Sequence, residues 1–174
     1  MTLPLRKIMR KHQIRHLWHF TEEANLASIR KHGGILSLRQ MEERGITIPR
    51  PGGDNMSHYL DSKCGLDGYV RLCFRNNHPM LYVALQEGRI LHPIWLKVDA
   101  SVMLNPDVRF SIGVAYQDGV EIIDHEKAAD QIDFDVLFTR TDWNDPEIQK
   151  RLQMGEKTEV LIPDIIPLDM IIGQ

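Results

Sequence analysis

An α+β fold is predicted by three observations. The texture of the 174-residue chain changes after about residue 53, from helical patterning with basic residues to short strand-like runs. Those later runs, "GYVRLCF", "MLYVAL", "IWLKVD", "VRFSI", "DVLFTR" and "TEVLIP", alternate or stay apolar at strand length and are separated by Gly, Pro, Asn or Asp. A composition of 43% hydrophobic and 26% charged residues suits one ordinary domain with a sizeable core, spanning residues 1–174. Many strands with few helices between them favour α+β over a helix-alternating parallel sheet.

The elements follow in order. "LWHF" is an apolar strand that ends near His19. "TEEANLASIRKHGG" predicts a helix: Thr21 is placed to cap it, Leu26 and Ile29 recur at helical spacing, and Gly33 with Gly34 stops it. Glu22 and Glu23 in its first turn suit the helix dipole. Beyond a short "LRQMEER" helix, residues 37–68 are rich in Gly, Pro, Asp and Ser, and "IPRPGGD" is expected to be a loop across a functional surface. "TRTDWNDPEIQKRLQMGEK" is polar and broken by Asn, Asp, Pro and Gly, which predicts a mobile segment before the final strands. The closing "TEVLIPDIIPLDMI" gives two short strands separated by prolines, the first headed by Glu159.

Composition narrows the function classes. No run of about 18 apolar residues exists, and the N-terminus lacks the unbroken apolar stretch of a secretory signal, so the expectation is a cytoplasmic protein with no membrane association. Cys64 and Cys73 have no matching His/Cys cluster, which predicts reduced thiols and no metal. The net charge of −3 conceals a split: residues 1–50 hold ten Lys/Arg against four Asp/Glu, and residues 51–174 hold eleven against twenty. Arg6, Lys7, Arg10, Lys11 and Arg15 could face a phosphate backbone, or could form only a solvated face.

Two places in the chain offer chemistry. His19, Thr21 and Asn25 gather an imidazole, a hydroxyl and an amide where a strand gives way to a helix N-terminus, a setting suited to a ribose or a nucleotide phosphate. Alternatively Thr21 is only a cap and His19 packs beside Trp18. Glu159 opens a strand of Val160, Leu161 and Ile162, so its carboxylate points either to solvent or into a cleft. A carboxylate fixed at the head of a strand after a substrate loop would suit a catalytic acid.

Three separated stretches, "HFTEEANLASIRKHGGILS", "GYVRLCFRNNHPMLY" and "TEVLIPDIIPLDMI", together resemble the DarT family of DNA ADP-ribosyltransferase toxins over roughly residues 17–172. The resemblance implies an ADP-ribosyltransferase-like fold with a mostly antiparallel core and a short N-terminal helical region. It implies NAD as co-substrate, transfer of ADP-ribose to a base of single-stranded DNA, and a macrodomain antitoxin that removes the mark. In that light Glu159 matches the catalytic glutamate; His19, Thr21 and Asn25 match the NAD-binding stretch; and Arg44 resembles an arginine that engages NAD and assists transfer, with Arg50 a nearby competitor. The chain departs from the thymidine-modifying pattern at Asn77, where an arginine is expected, and in a longer "DNMSHYLDSKCGLD" connection, so thymine and guanine both stay open as the base. An RNA acceptor, an RNA 2′-phosphotransferase and a noncatalytic nucleic-acid binder are the alternative functions. Arg71 and Arg75 provide a second path for DNA.

Overall fold

The computed structural model describes residues 4–53, 55–115, 117 and 119–174. Asp54, the last residue of the loop expected at 48–54, lies outside the described residues, as do the first three of the N-terminus. Helix α1 (Pro4–Lys11) leads into strand β1 (His16–Glu22), a single 3₁₀ turn, helix α2 (Leu26–Lys31), β2 (Gly34–Leu36), α3 (Leu38–Glu43) and α4 (Asn55–Cys64). Then come β3 (Tyr69–Cys73), α5 (Pro79–Gln86), β4 (Pro93–Asp99), β5 (Arg109–Ser111), β6 (Ile122–Ile123), α6 (His125–Gln131) and α7 (Phe134–Phe138). The chain closes with α8 (Pro146–Glu156), β7 (Glu159–Pro163), β8 (Ile165–Pro167) and β9 (Ile171–Gly173). The α+β prediction holds.

Seven strands form one sheet in the order β6-β5-β7-β3-β1-β4-β9, and β2 pairs with β8 in a second. Every described pairing is antiparallel. Strand β7 lies inside the large sheet, with Glu159 opposite Cys73 of β3 on one side and Ser111 of β5 on the other. Both faces of β7 are covered: Val160 and Ile162 enter the main core, while Leu161 packs with Leu66, Ala115 and Tyr69. A strand buried on both faces and paired on both edges is a rigid support for the side chain at its head.

One seam is incomplete. β1 runs its full length against β4, from His16 opposite Asp99 to Glu22 opposite Pro93, but meets β3 at the single register pair Trp18 and Cys73. Beyond that pair the two central strands part.

Several sequence-based expectations give way to helix. "MLYVAL" lies in α5, whose start is set by His78 accepting the Met80 N–H and by Pro79 in the first turn. A continuous apolar run fits a buried helix as well as a strand. The first four residues of "DVLFTR" lie in the short α7, capped by Asp133 through the Val136 N–H. The segment before Glu159 is largely helix α8, with Asp145 accepting the Glu147 N–H ahead of Pro146. Within the Gly-, Pro-, Asp- and Ser-rich stretch 37–68, residues after the expected loop form helix α4. Thr21 caps no helix: β1 extends through Glu22, and the residue at the cap of the following turn, Glu22, makes no side-chain cap bond.

Candidate functional site

The parting of β1 from β3 opens a cleft of about 250 Å³, with His19, Phe20 and Thr21 along one wall and Tyr69, Val70 and Arg71 along the other. His19 bridges the gap with its side chain, its Nδ1 lying 3.0 Å from the Arg71 carbonyl oxygen. A carbonyl only accepts, so Nδ1 carries the proton and Nε2 is left as the acceptor. Burial lowers the His19 pKa, opposed in part by that carbonyl, and the ring is neutral at pH 7. The imidazole thus stands where the sheet ladder stops and satisfies a backbone group the missing strand pairing would leave open.

Glu159 sits at the inner end of the cleft, 2% exposed. Its Oε2 accepts the Ala115 N–H at 2.9 Å, which ties it to the segment after β5. Burial raises its pKa, while the Arg71 charge and the Ala115 N–H pull it down and Asp61 pushes it up. Arg71 is the cation of the site: it lines the cleft and donates to the Asp61 carboxylate from α4. Sequence patterning offers Arg71 only as a DNA contact, although a charged residue at the centre of a five-residue strand is itself a signal of a partner across the sheet.

The other expected site residues divide. Thr21 lines the cleft, and its Oγ1 accepts from the Asn25 amide at 3.0 Å, which leaves its own hydroxyl proton free to donate. Asn25 also borders the cleft but is 1% exposed, with both amide atoms engaged. Its Nδ2 donates to the Arg50 carbonyl at 2.7 Å and its Oδ1 accepts the Arg50 N–H at 3.0 Å. Asn25 therefore holds the segment over the cleft instead of offering a free amide to a ligand. Arg50 donates through Nη1 to the Gly88 carbonyl. The structure does not bring Arg44 to the cleft. It follows the last residue of α3, and its exposed side chain folds back to donate from Nε to Gln40 Oε1 at 3.1 Å.

The fold has counterparts among known proteins. The family model described as "ssDNA thymidine ADP-ribosyltransferase, DarT" matches residues 18–173. The chain belongs to the DarT family. Among solved structures it is similar to Thermus sp. 2.9 DarT in complex with ADP-ribosylated ssDNA, at 18% identity and a TM-score of 0.67, over 91% of this chain and 79% of that one. It is also similar to Thermosipho africanus DarTG in complex with ADP-ribose, at 21% identity and a TM-score of 0.66, over 90% of this chain and 42% of that one. The Thermus sp. 2.9 protein in complex with NAD+ aligns at 19% identity and a TM-score of 0.59, over 91% of this chain and 80% of that one. No curated protein matches the chain. Together with family membership, these likenesses identify an ADP-ribosyltransferase-like fold, and no described helix is long and apolar enough to cross a membrane.

Proposed function

We propose that the chain, acting as one catalytic domain over residues 1–174, transfers ADP-ribose from NAD to a base of single-stranded DNA with Glu159 as the catalytic carboxylate. The observation that carries this reading is the placement of Glu159, buried and doubly flanked at the head of β7, where the cleft between β1 and β3 ends. The bond from ribose C1′ to the nicotinamide nitrogen breaks through an oxocarbenium-like state. A carboxylate hydrogen-bonded to the ribose hydroxyls orients the sugar and stabilises the positive charge that develops. A ring atom of the base then bonds to C1′, and the proton it loses passes to Glu159 or to water.

His19 Nε2 as acceptor and the Thr21 hydroxyl as donor form the pair for the ribose side of NAD. Arg71 takes the role that the family resemblance implies for Arg44, because a guanidinium beside the cleft can engage the pyrophosphate and also favours the charged form of Glu159. Within the DarT family this activity fits a cytoplasmic toxin whose mark is removed by a macrodomain antitoxin.

The test is incubation of wild type and Glu159→Gln with labelled NAD and single-stranded DNA, then with RNA, followed by mass spectrometry of the oligonucleotides. We expect a base carrying one ADP-ribose for wild-type protein with DNA, and a loss of orders of magnitude for the variant. Wild-type-level modification by Glu159→Gln would remove Glu159 from the chemistry, and labelling of RNA alone would replace the acceptor.

A further inference from the structure

Behind Glu159, away from the cleft lining, stands a histidine that none of the steps above uses. His78 is 1% exposed, and its ring faces Phe20 with centroids 6.2 Å apart. Its Nδ1 accepts the Met80 N–H at 3.3 Å as the cap of α5, and an amide can only donate, so the neutral ring carries its proton on Nε2. That Nε2 is buried, has no hydrogen-bond partner among the described residues, and lies 3.3 Å from Glu159 Oε1. A buried donor without a partner is costly, and a buried carboxylate 3.3 Å away is within reach of a small rotation of the ring.

We propose that His78 is a positioning residue for Glu159: its Nε2–H closes onto Oε1 when the carboxylate ionises, while Ala115 holds Oε2, so that both oxygens are oriented toward the ribose. The inference rests on Glu159 being the catalytic carboxylate. Glu159 then has one tether from the segment after β5 and one from the N-terminus of α5, and α5 joins the catalytic machinery without touching NAD.

The charges around the pair agree with this role. Burial and the Arg71 charge bring the His78 pKa down to about 4, with the Lys157 carbonyl opposing them, so the ring stays a neutral donor through the working range of pH. The groups acting on Glu159 are Arg71 from β3 and Asp61 from α4, and its titratable neighbour on β3 is Cys73, whose buried thiol is held well above its usual range. Arg71 is already engaged with Asp61, whereas the His78 Nε2–H has, besides Glu159, only the Lys157 carbonyl near it, short of a hydrogen bond among the described residues.

Two substitutions separate positioning from helix capping. In His78→Gln the amide nitrogen falls near the position of Nε2, keeping the donor toward Glu159 and losing the cap. In His78→Asn the amide oxygen falls near the position of Nδ1, keeping the cap and losing the donor. The measurement is the pH profile of kcat for DNA modification together with NAD affinity, on wild type, both variants and Glu159→Gln. We expect His78→Gln to stay within a few-fold of wild type. His78→Asn should lose roughly tenfold or more in kcat, and its acid limb should move up by about one pH unit, since a hydrogen bond to a charged group is worth about that shift. NAD affinity should be the same in wild type and both His78 variants. The reverse order, with His78→Asn active and His78→Gln impaired, would make His78 a cap alone and overturn the inference, as would unshifted acid limbs in both. An active Glu159→Gln would instead sink the reading of the site on which the inference rests.

Discussion

At the scale of single residues, the site sets the charge state of each group through burial. Glu159 has a raised pKa, so in the folded state it holds its proton to higher pH than in the unfolded chain. Its contribution to stability is complete below the unfolded value and is lost as pH rises through the folded one, because the buried carboxylate must then ionise. With Glu159 as the proposed catalytic carboxylate, transfer would need its ionised form, and activity should therefore climb with pH through that same raised pKa. Glu159→Gln, which never ionises, should melt at or above the wild-type midpoint at pH 8, with the gap narrowing toward pH 5 in calorimetry. A variant melting well below wild type at pH 8 would contradict this. His19 follows the opposite sign. Its pKa is lowered, so Nε2 accepts a hydrogen bond at neutral and alkaline pH and stops doing so only on acidification. His19→Ala should weaken NAD binding roughly fivefold, for a neutral hydrogen bond of about 1 kcal/mol. Its thermal midpoint should barely move, because water entering the cleft can satisfy the Arg71 carbonyl. Isothermal titration across pH checks both statements. Glu159 and His19 were visible in the sequence as polar residues at strand ends. Which way Glu159 points was not, since alternation is silent on a strand buried on both faces.

At the scale of elements, the cleft depends on how short pieces are tied together. Asn25 pairs with both backbone groups of Arg50, a strand-like exchange made by a side chain. Asn25→Ala should cost about 1–3 kcal/mol in urea unfolding, for polar groups left without partners. It should also weaken NAD binding, through release of the segment that covers the cleft. Recovery of NAD affinity without recovery of stability would show that the clamp is irrelevant to the site. Gly34 is the second tie. It has φ 154°, and a Cβ there would stand 2.1 Å from the Ile166 carbonyl oxygen in the β2–β8 pairing. Gly34→Ala should destabilise by more than about 1 kcal/mol and disturb the cleft wall that β2 supplies. The glycine was legible as a stop, and its close approach to β8 was not, because the two strands are far apart in sequence. Two of the misread elements, α5 and α8, share one cause. "HPML" and "DPEI" each place a capping side chain immediately before a proline at the first helical turn, a start signal that is easily taken for loop punctuation. His78 is one of these caps, and its place at the start of α5 brings its ring within 3.3 Å of Glu159.

At the scale of the whole molecule, a chain of net charge −3 must bind a polyanion through a local surface. The charge split was legible in the sequence, and the structure refines which residues remain available. Lys11 is engaged with Asp135 at 3.1 Å, whereas Arg6, Arg10 and Arg15 line a second, shallow depression with Gln13 and Leu104 and have no carboxylate partner among the described residues. Arg15 directly precedes β1, and His19 lies four residues further on. At a rise of about 3.3 Å per residue this puts the basic depression about 13 Å along the strand from the cleft. A single strand modified at the cleft could then run along the sheet and end on these arginines. If each arginine contacts one phosphate and releases a counterion, log affinity should fall against log salt with a slope of about −0.7 per contact. Replacing Arg6, Arg10 and Arg15 together by glutamine should therefore flatten the slope by roughly 2, with NAD affinity and the reaction of a very short oligonucleotide unchanged. Fluorescence anisotropy from low to physiological salt, on wild type and the triple variant, reads the slopes directly. Equal slopes would make the N-terminal cluster a solvated face. The DNA path would then pass along α8, where Arg75 lies 3.4 Å from Glu156 and its guanidinium stands over the half-exposed ring of Trp143.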